Sequence, residues 1–315
     1  RGECGDSGVI GSSADTKRNE QGALMAYRKL LVPVIGTAAG EAALATAFMA
    51  ARIWQAHVHG LHVRIDPRDV APLAGEGLSG AMIEEMMAAT ERESAERAKS
   101  VQEMFARYIA EHGIPAVSDP AAAFSAGRMT ASFGTVVGRE EDVIAQQARL
   151  ADLVVIAHPE AGDDVSTSDA LHAVLFDSGR PVMVTPKTAP ATLGTRITVA
   201  WNGTAESAAA VAAALPWLER AEAVRVLHAD EYQRRGPDAA GLIEYLAWHG
   251  IKAESAQFKP LNGSVGAGLL AASAEFGADL QVMGAYSHSR LRQLILGGVT
   301  RHVLEHAMLT LLMCR

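Results

Sequence analysis

Cysteine is nearly absent: the chain has Cys4 and Cys314, at opposite ends of 315 residues. Two such distant thiols make neither a disulfide framework nor a zinc-ligand spacing, and they fit a reducing cytosol. Aromatic residues are only 5% of the chain, so its cores must be built mainly from Ala, Val, Leu, Ile and Met. Basic charge is also short, with 28 Lys and Arg against 36 Asp and Glu and a formal net charge of -8. A nucleic-acid binder needs a basic footprint to displace counterions, so DNA and RNA are not expected partners. No apolar run approaches the roughly 20 residues of a membrane span. Residues 1–24 lack the apolar core of a signal peptide. The leader, residues 1–27, reads as disordered, with Met25 a candidate natural start.

What the chain does contain is a duplication. Leu30-Leu31-Val32-Pro33-Val34 leads to Gly36-Thr37-Ala38 and an Ala-rich helix, and Ile197-Thr198-Val199-Ala200-Trp201 leads to Gly203-Thr204-Ala205 and another. Gly60-Leu61-His62-Val63 is answered by Val226-Leu227-His228-Ala229, and Ala151-Asp152-Leu153-Val154-Val155 by Ala278-Asp279-Leu280-Gln281-Val282. In the second copy, apolar runs at 197–201, 223–228, 253–258, 280–284 and 309–314 alternate with helical patterns at 204–219, 239–249, 264–276 and 298–307. Runs apolar on both faces and separated by helices signify a parallel sheet covered on each side, and right-handed crossovers make it doubly wound. The first copy repeats the order with a longer second helix, Ala81 to Glu111, on which Glu93 and Arg97 form an i,i+4 pair on a solvated face. Small residues and two prolines between Pro186 and Thr195 read as a linker. The expected organisation is therefore a first domain over 28–186, a linker over 187–195 and a second domain over 196–315.

The richest motif is Gly284-Ala285-Tyr286-Ser287, followed by Gly297-Gly298-Val299-Thr300, between a buried strand and a helix start. First-turn amides lack intrahelical partners and carry the positive end of the macrodipole, so those of Gly298, Val299 and Thr300 suit an anionic oxygen. Gly297 and Gly298 allow close backbone approach, and Thr300 adds a hydroxyl. An ordinary strand–loop–helix connection, with glycines used only for turning, fits the same residues. 

This pattern resembles a tandem member of the universal stress protein family. The likeness rests on Ile197 to Thr204, on Ala278 to Gly284, on the glycine loop and on the closing run Leu309 to Cys314, and it covers nearly everything from residue 28 onward. It implies two tandem doubly wound, Rossmann-like α/β sandwiches of strand order 3-2-1-4-5, with ATP phosphates on the glycine loop and adenosine near the end of the first strand. Carried over by position, Gly284, Gly297, Val299 and Thr300 match the family's pattern. Ser287 replaces a glycine, Gly298 replaces a Ser or Thr, and Asn202 stands at a strand end where an aspartate is common. With strands one and four adjacent, Asn202-Gly203 would lie beside Gly284 at the switch point, the usual ligand crevice of such sheets. Inside the loop, His288 and Arg290 read either as groups that neutralise negative charge or as solvent-exposed side chains. The first copy has Ala157-His158-Pro159-Glu160 in place of the loop, and Pro159 removes a donor, so that half is expected to have lost phosphate binding.

Other motifs read as structural. Gly75 to Gly80 formally matches a dinucleotide fingerprint but does not turn tightly out of a first strand. His57, His59 and His62, like His302 and His306, lack a third ligand and read as core or surface histidines. Met82, Met86, Met87 and Met104 read as core filler. No nucleophile elbow or supported carboxylate pair encodes catalysis. The expectation is a cytosolic stress-response protein that binds ATP with Mg²⁺ in its second half and acts by conformational or partner signalling, with at most slow hydrolysis. The alternative is a nucleotide-free interaction scaffold. The final strand is expected at a sheet edge, with the two halves pairing as an intramolecular pseudo-dimer and a homodimer left open.

Overall fold

The computed structural model describes residues 27–70, 79–158, 169–234, 236–286 and 298–315. The leader, Gly75, Pro159 and the loop residues Ser287, His288, Arg290 and Gly297 lie outside the described residues. 

Strands and helices alternate along the chain. The first half contains β1 (Lys29–Pro33), α1 (Ala38–Trp54), β2 (His57–Arg64), α2 (Gly80–Glu111), β3 (Thr130–Val137), α3 (Glu140–Ala148), β4 (Leu153–Ile156), α4 (Asp169–Ala173, continuing as one π-helical segment, Val174–Ser178) and β5 (Val182–Val184). The second half contains β6 (Arg196–Ala200), α5 (Ala205–Leu218), β7 (Ala223–His228), α6 (Ala239–Trp248), β8 (Ala253–Gln257), α7 (Val265–Phe276), β9 (Leu280–Gly284), α8 (Gly298–His306) and β10 (Thr310–Cys314). Single helical turns at Pro67–Val70 and Pro120–Ser125 decorate the first half.

The repeat is visible in the local chemistry. Thr37 caps α1 by accepting from the Gly40 amide, and Thr204 caps α5 by accepting from the Ser207 amide, each closing one of the orphan donors of a helix start. Asp152 accepts from the amides of Arg28 and Lys29 at the entry to β1. Asp279 does the same for Thr195 and Arg196 at the entry to β6. The Asp of each Ala-Asp-Leu repeat thus pins its half's first strand.

The ten described strands form one sheet, in the order β3-β2-β1-β4-β5-β10-β9-β6-β7-β8. Each half has the order 3-2-1-4-5 with parallel neighbours, and the halves meet where β5 runs antiparallel to β10, Val184 opposite Leu311 and Val182 opposite Met313. The last strand is thus the edge of the second half's own five strands, and through it the two halves pair as the expected intramolecular pseudo-dimer. β10 lies in the interior of the sheet, paired with β9 on its other side, because the free edges of the two halves satisfy each other.

Successive strand residues point to opposite faces, so each strand feeds two cores. Among the described residues, α1, α2, α5 and α6 cover one face through Phe48, Phe105, Trp217 and Leu242. Helices α3, α4, α7 and α8 cover the other through Ile144, Leu171, Leu269 and Val303. Both cores cross the junction. On the first face Trp54 meets Trp217 edge to face with centroids 4.4 Å apart, and the Tyr27 hydroxyl donates to the Ala213 carbonyl. Of the methionines expected in the core of α2, Met104 is buried, Met86 and Met87 are half-buried and Met82 is exposed. Burial starts on α2 only from Ser94, because the first turns of that helix project beyond the sheet.

Candidate functional site

The switch point of the second half lies where β6 and β9 run side by side, with Ala200 opposite Met283. Their tips carry Asn202 and Gly284, so residues far apart in sequence share one end of the sheet. Two helices start there, and they are finished differently. α5 is closed by Thr204 and has Glu206 in its first turn, so its positive end is already complemented. α8 starts at Gly298 and has no acidic residue in its first turn. Among the described residues nothing stands within 4 Å of the place a Cβ would take on exposed Gly298, which leaves room for a ligand against the backbone.

Thr300 is buried, and its hydroxyl oxygen accepts from the Tyr286 amide at 3.4 Å, joining the first turn of α8 to the chain leaving β9. Its hydroxyl hydrogen is still free to donate. Val299 is half-buried and packs on the core of that face. Asn202 is buried with its Oδ1 accepting from both the amide and the hydroxyl of Thr204. The side-chain oxygen is therefore spent on the local turn, and the Nδ2 group is the part left to donate to a ligand.

Two glycines at this end answer to the protein itself. A Cβ on Gly284 would stand 2.5 Å from the Ser207 amide nitrogen and 2.6 Å from the Glu206 carbonyl carbon, so the absence of a side chain lets α5 start against the tip of β9. Gly203 has φ +77°, and a Cβ there would meet Gln233 at 2.8 Å and the Pro237 carbonyl oxygen at 2.9 Å. The chain after β7 folds back over the tip of β6, with the Arg234 amide donating to the Asn202 carbonyl and the Trp201 indole donating to the carbonyls of Pro237 and Asp238. Gly203 is accordingly held against that chain, Asn202 and Gly284 stand at the adjoining tips of β6 and β9, and Thr300, two residues after Gly298 and one after Val299, is tied to the chain leaving β9. Ser287, His288 and Gly297 lie outside the described residues.

One neighbour was not read from the sequence. Tyr286 adopts a left-handed conformation, φ +57°, and its ring turns into the junction between the halves. Its hydroxyl bonds His172 Nε2 of α4 at 3.0 Å and its ring lies 5.2 Å from that of Phe176. Burial pushes the phenol up to about 12. Only a contact across the pseudo-dimer reveals His172, and no local pattern in the sequence could do so.

The histidines are occupied otherwise. His57 bonds Thr130 and Ser132, and His59 bonds Ser132, across to β3. His302 and His306 stack with centroids 4.2 Å apart. Among the described residues no group of three His, Cys, Asp or Glu is placed to hold a metal. No described helix is long and apolar enough to cross a membrane.

Residues 195–315 match the model of the Universal stress protein family. Among solved structures, a universal stress protein from Archaeoglobus fulgidus DSM 4304 is similar with a TM-score of 0.62 and 17% identity, covering 91% of this chain and 98% of that one. A protein of unknown function from Pseudomonas aeruginosa PAO1 is similar with a TM-score of 0.52 and 16% identity, over 93% of this chain and 94% of that one. Both likenesses concern the fold. A search of curated proteins finds no significant match. The second half of the chain is therefore a universal stress protein domain, joined in one continuous sheet to a first half that repeats the same fold.

Proposed function

We propose that this chain is a cytosolic stress-response protein that binds an adenine nucleotide, ATP, in its second half. The observation that carries this reading is the start of α8: first-turn amides of Gly298, Val299 and Thr300, no acidic residue to complement them, and the Asn202 Nδ2 group at the adjoining strand tip. The phosphates would lie on those amides, and Asn202 would donate to ribose or base. Gly203, Ser287, His288 and Gly297 are assigned to the site from the sequence pattern alone. Mg²⁺ would accompany the nucleotide and screen its charge. Among the described residues no group in the site is placed as a general base, and the reading is binding with signalling through shape or partners and at most slow hydrolysis. The proposed division of labour is a first domain over 28–186, a linker over 187–195 and the nucleotide domain over 196–315.

Equilibrium titration of the full chain with ATP and Mg²⁺ tests this. A saturable isotherm in the wild type, lost in Gly298→Glu, is the expected result. Its Cβ has no described atom within 4 Å, and its carboxylate is added on the side where the phosphates would sit. Absence of heat or thermal shift at millimolar ATP would rule the reading out. A nucleotide-free scaffold is favoured by one observation, the chain segment lying over Gly203 and Trp201 at the tip of β6. Ultraviolet absorbance of the supernatant after denaturing the purified protein separates the two, since only the first reading predicts co-purified nucleotide.

A further inference from the structure

The first half holds a cavity that its expected loss of phosphate binding does not account for. It has a volume of about 460 Å³ and lies beyond the tips of β1 and β2, under the projecting turns of α2 and beside the start of α3. That size is in the range of small-molecule sites. Its floor is apolar, from Val34, Leu61 and Ile144, all buried.

Two polar side chains more than nine-tenths buried line it, each with a hydrogen-bonding atom unused among the described residues. His62 is 6% exposed, and its Nδ1 bonds the Val34 carbonyl at 2.9 Å. A carbonyl only accepts, so Nδ1 carries the hydrogen and Nε2 of the neutral ring is a bare acceptor. No hydrogen bond within the described protein satisfies that Nε2. Ser94, 9% exposed, also lines the cavity, and its Oγ makes no hydrogen bond among the described residues. Both residues line one cavity, and each leaves a hydrogen-bonding atom that a ligand there can take.

The face of α2 explains how the space arises. Ala98, Val101 and Phe105 pack on the sheet, and the same face continues N-terminally as Thr90, Ser94 and Arg97, which are too short or too polar to fill the gap. The charges around the mouth are already matched. The guanidinium at the cavity, Arg97, is bonded to Glu93 at 2.8 Å, and Glu140 adds a further carboxylate. The nearby start of α1 is capped by Thr37 and carries Glu41 in its first turn. An anionic ligand finds no unmatched positive group there.

We infer that this cavity binds a small, uncharged, mostly apolar molecule bearing an N–H or O–H donor. The donor bonds His62 Nε2, Ser94 Oγ makes the second polar contact, and the rest of the molecule lies on Val34, Leu61 and Ile144. The first half is then a receptor for a ligand of another class than the nucleotide proposed for the second, and the two proposals stand or fall separately.

The test uses the full chain and the neutral dye N-phenylnaphthylamine, a secondary amine with one N–H. Saturable fluorescence enhancement at one dye per chain is expected, with affinity lowered at least tenfold in Ser94→Phe, whose ring occupies the cavity. In the wild type, long-range ¹H–¹⁵N spectra should show the His62 Nε2 resonance moving upfield on dye addition while Nδ1 stays protonated; this readout does not depend on any variant folding. Saturating ATP with Mg²⁺ should leave the dye bound. Absence of saturable binding, equal affinity in a folded Ser94→Phe, a static His62 resonance or competitive displacement by ATP would each overturn the inference.

Discussion

Ala157 and Gly284 occupy the same place in the two halves, one residue after the shared positions Ile156 and Met283 at the strand tip beside the first helix. In the first half the methyl of Ala157 is buried against Ala39 and Ala43 of α1. In the second, α5 starts so close to β9 that no Cβ fits at all. The second helices diverge as well, α2 running from Gly80 to Glu111 and α6 only from Ala239 to Trp248. One fold has thus been finished in two ways. In the second half the first helix starts directly against the tip of β9, whereas in the first a long second helix lies over a cavity beyond the tips of β1 and β2.

The largest break in this comparison should come from exchanging the two residues at the strand tips. Gly284→Ala forces the start of α5 away from β9 and is expected to cost about 2–3 kcal/mol in urea denaturation, the upper part of the range of about 1–3 kcal/mol for overpacked cores. Ala157→Gly in the first half should cost no more than about 1 kcal/mol. Equal effects would mean that the two tips are packed alike.

The paired aspartates should show the halves behaving the same way. Asp279→Asn and Asp152→Asn each weaken charge-assisted bonds to two backbone amides, and each should cost about 1.5–3 kcal/mol by equilibrium unfolding. A much smaller loss for Asp152→Asn would show that β1 is held chiefly by its strand neighbours.

Stability in acid should be set largely by the first half. Burial and the nearby Lys29 lower His59 from 6.5 to about 4, and His57 is lowered for the same reasons. For a base depressed in the folded state, the stabilisation is complete above pH 6.5 and is lost as the pH falls toward 4, because the unfolded chain takes up the proton first. Both rings are partly open to solvent, so the loss should be about 1 kcal/mol, read as the shift of the urea midpoint between pH 7 and pH 5. His59→Gln should flatten that dependence. A slope unchanged in this variant would place the titration elsewhere.

The smallest effect concerns the junction. Tyr286→Phe removes the bond to His172 and should lower stability by about 0.5–1.5 kcal/mol while the ring contact with Phe176 persists. Full retention of stability would show that packing alone holds the two halves together on that face.

Strand positions were legible because both-face burial leaves uninterrupted apolar runs such as Leu30–Val32 and Leu153–Ile156, a pattern fixed locally by the chain. Helix starts were legible at Thr37 and Thr204 for the same reason. The partner of β10 was not, because pairing with β5 depends on how two folded halves meet. Nor was the role of Gly284 in seating α5, since a glycine beside a phosphate motif looks the same whether its missing side chain serves a ligand or a neighbouring helix. The Glu93–Arg97 pair was read as solvated, and it is, at 73% and 60% side-chain exposure. What the helical period could not show is that Ser94, between them, turns from that surface into an enclosed space.

The antiparallel seam between β5 and β10 has a consequence for how the molecule is made. β5 is synthesised before any part of the second half, yet its outer hydrogen bonds are completed only by β10, the last strand in chain order. During translation the first half therefore carries an open, apolar border, Val182-Met183-Val184, for as long as its sister half takes to emerge. Such a border invites mispairing with neighbouring nascent chains. Arrest or truncation before residue 310 would leave it permanently exposed, and the most vulnerable moment in the life of this protein is the interval before its own seam closes.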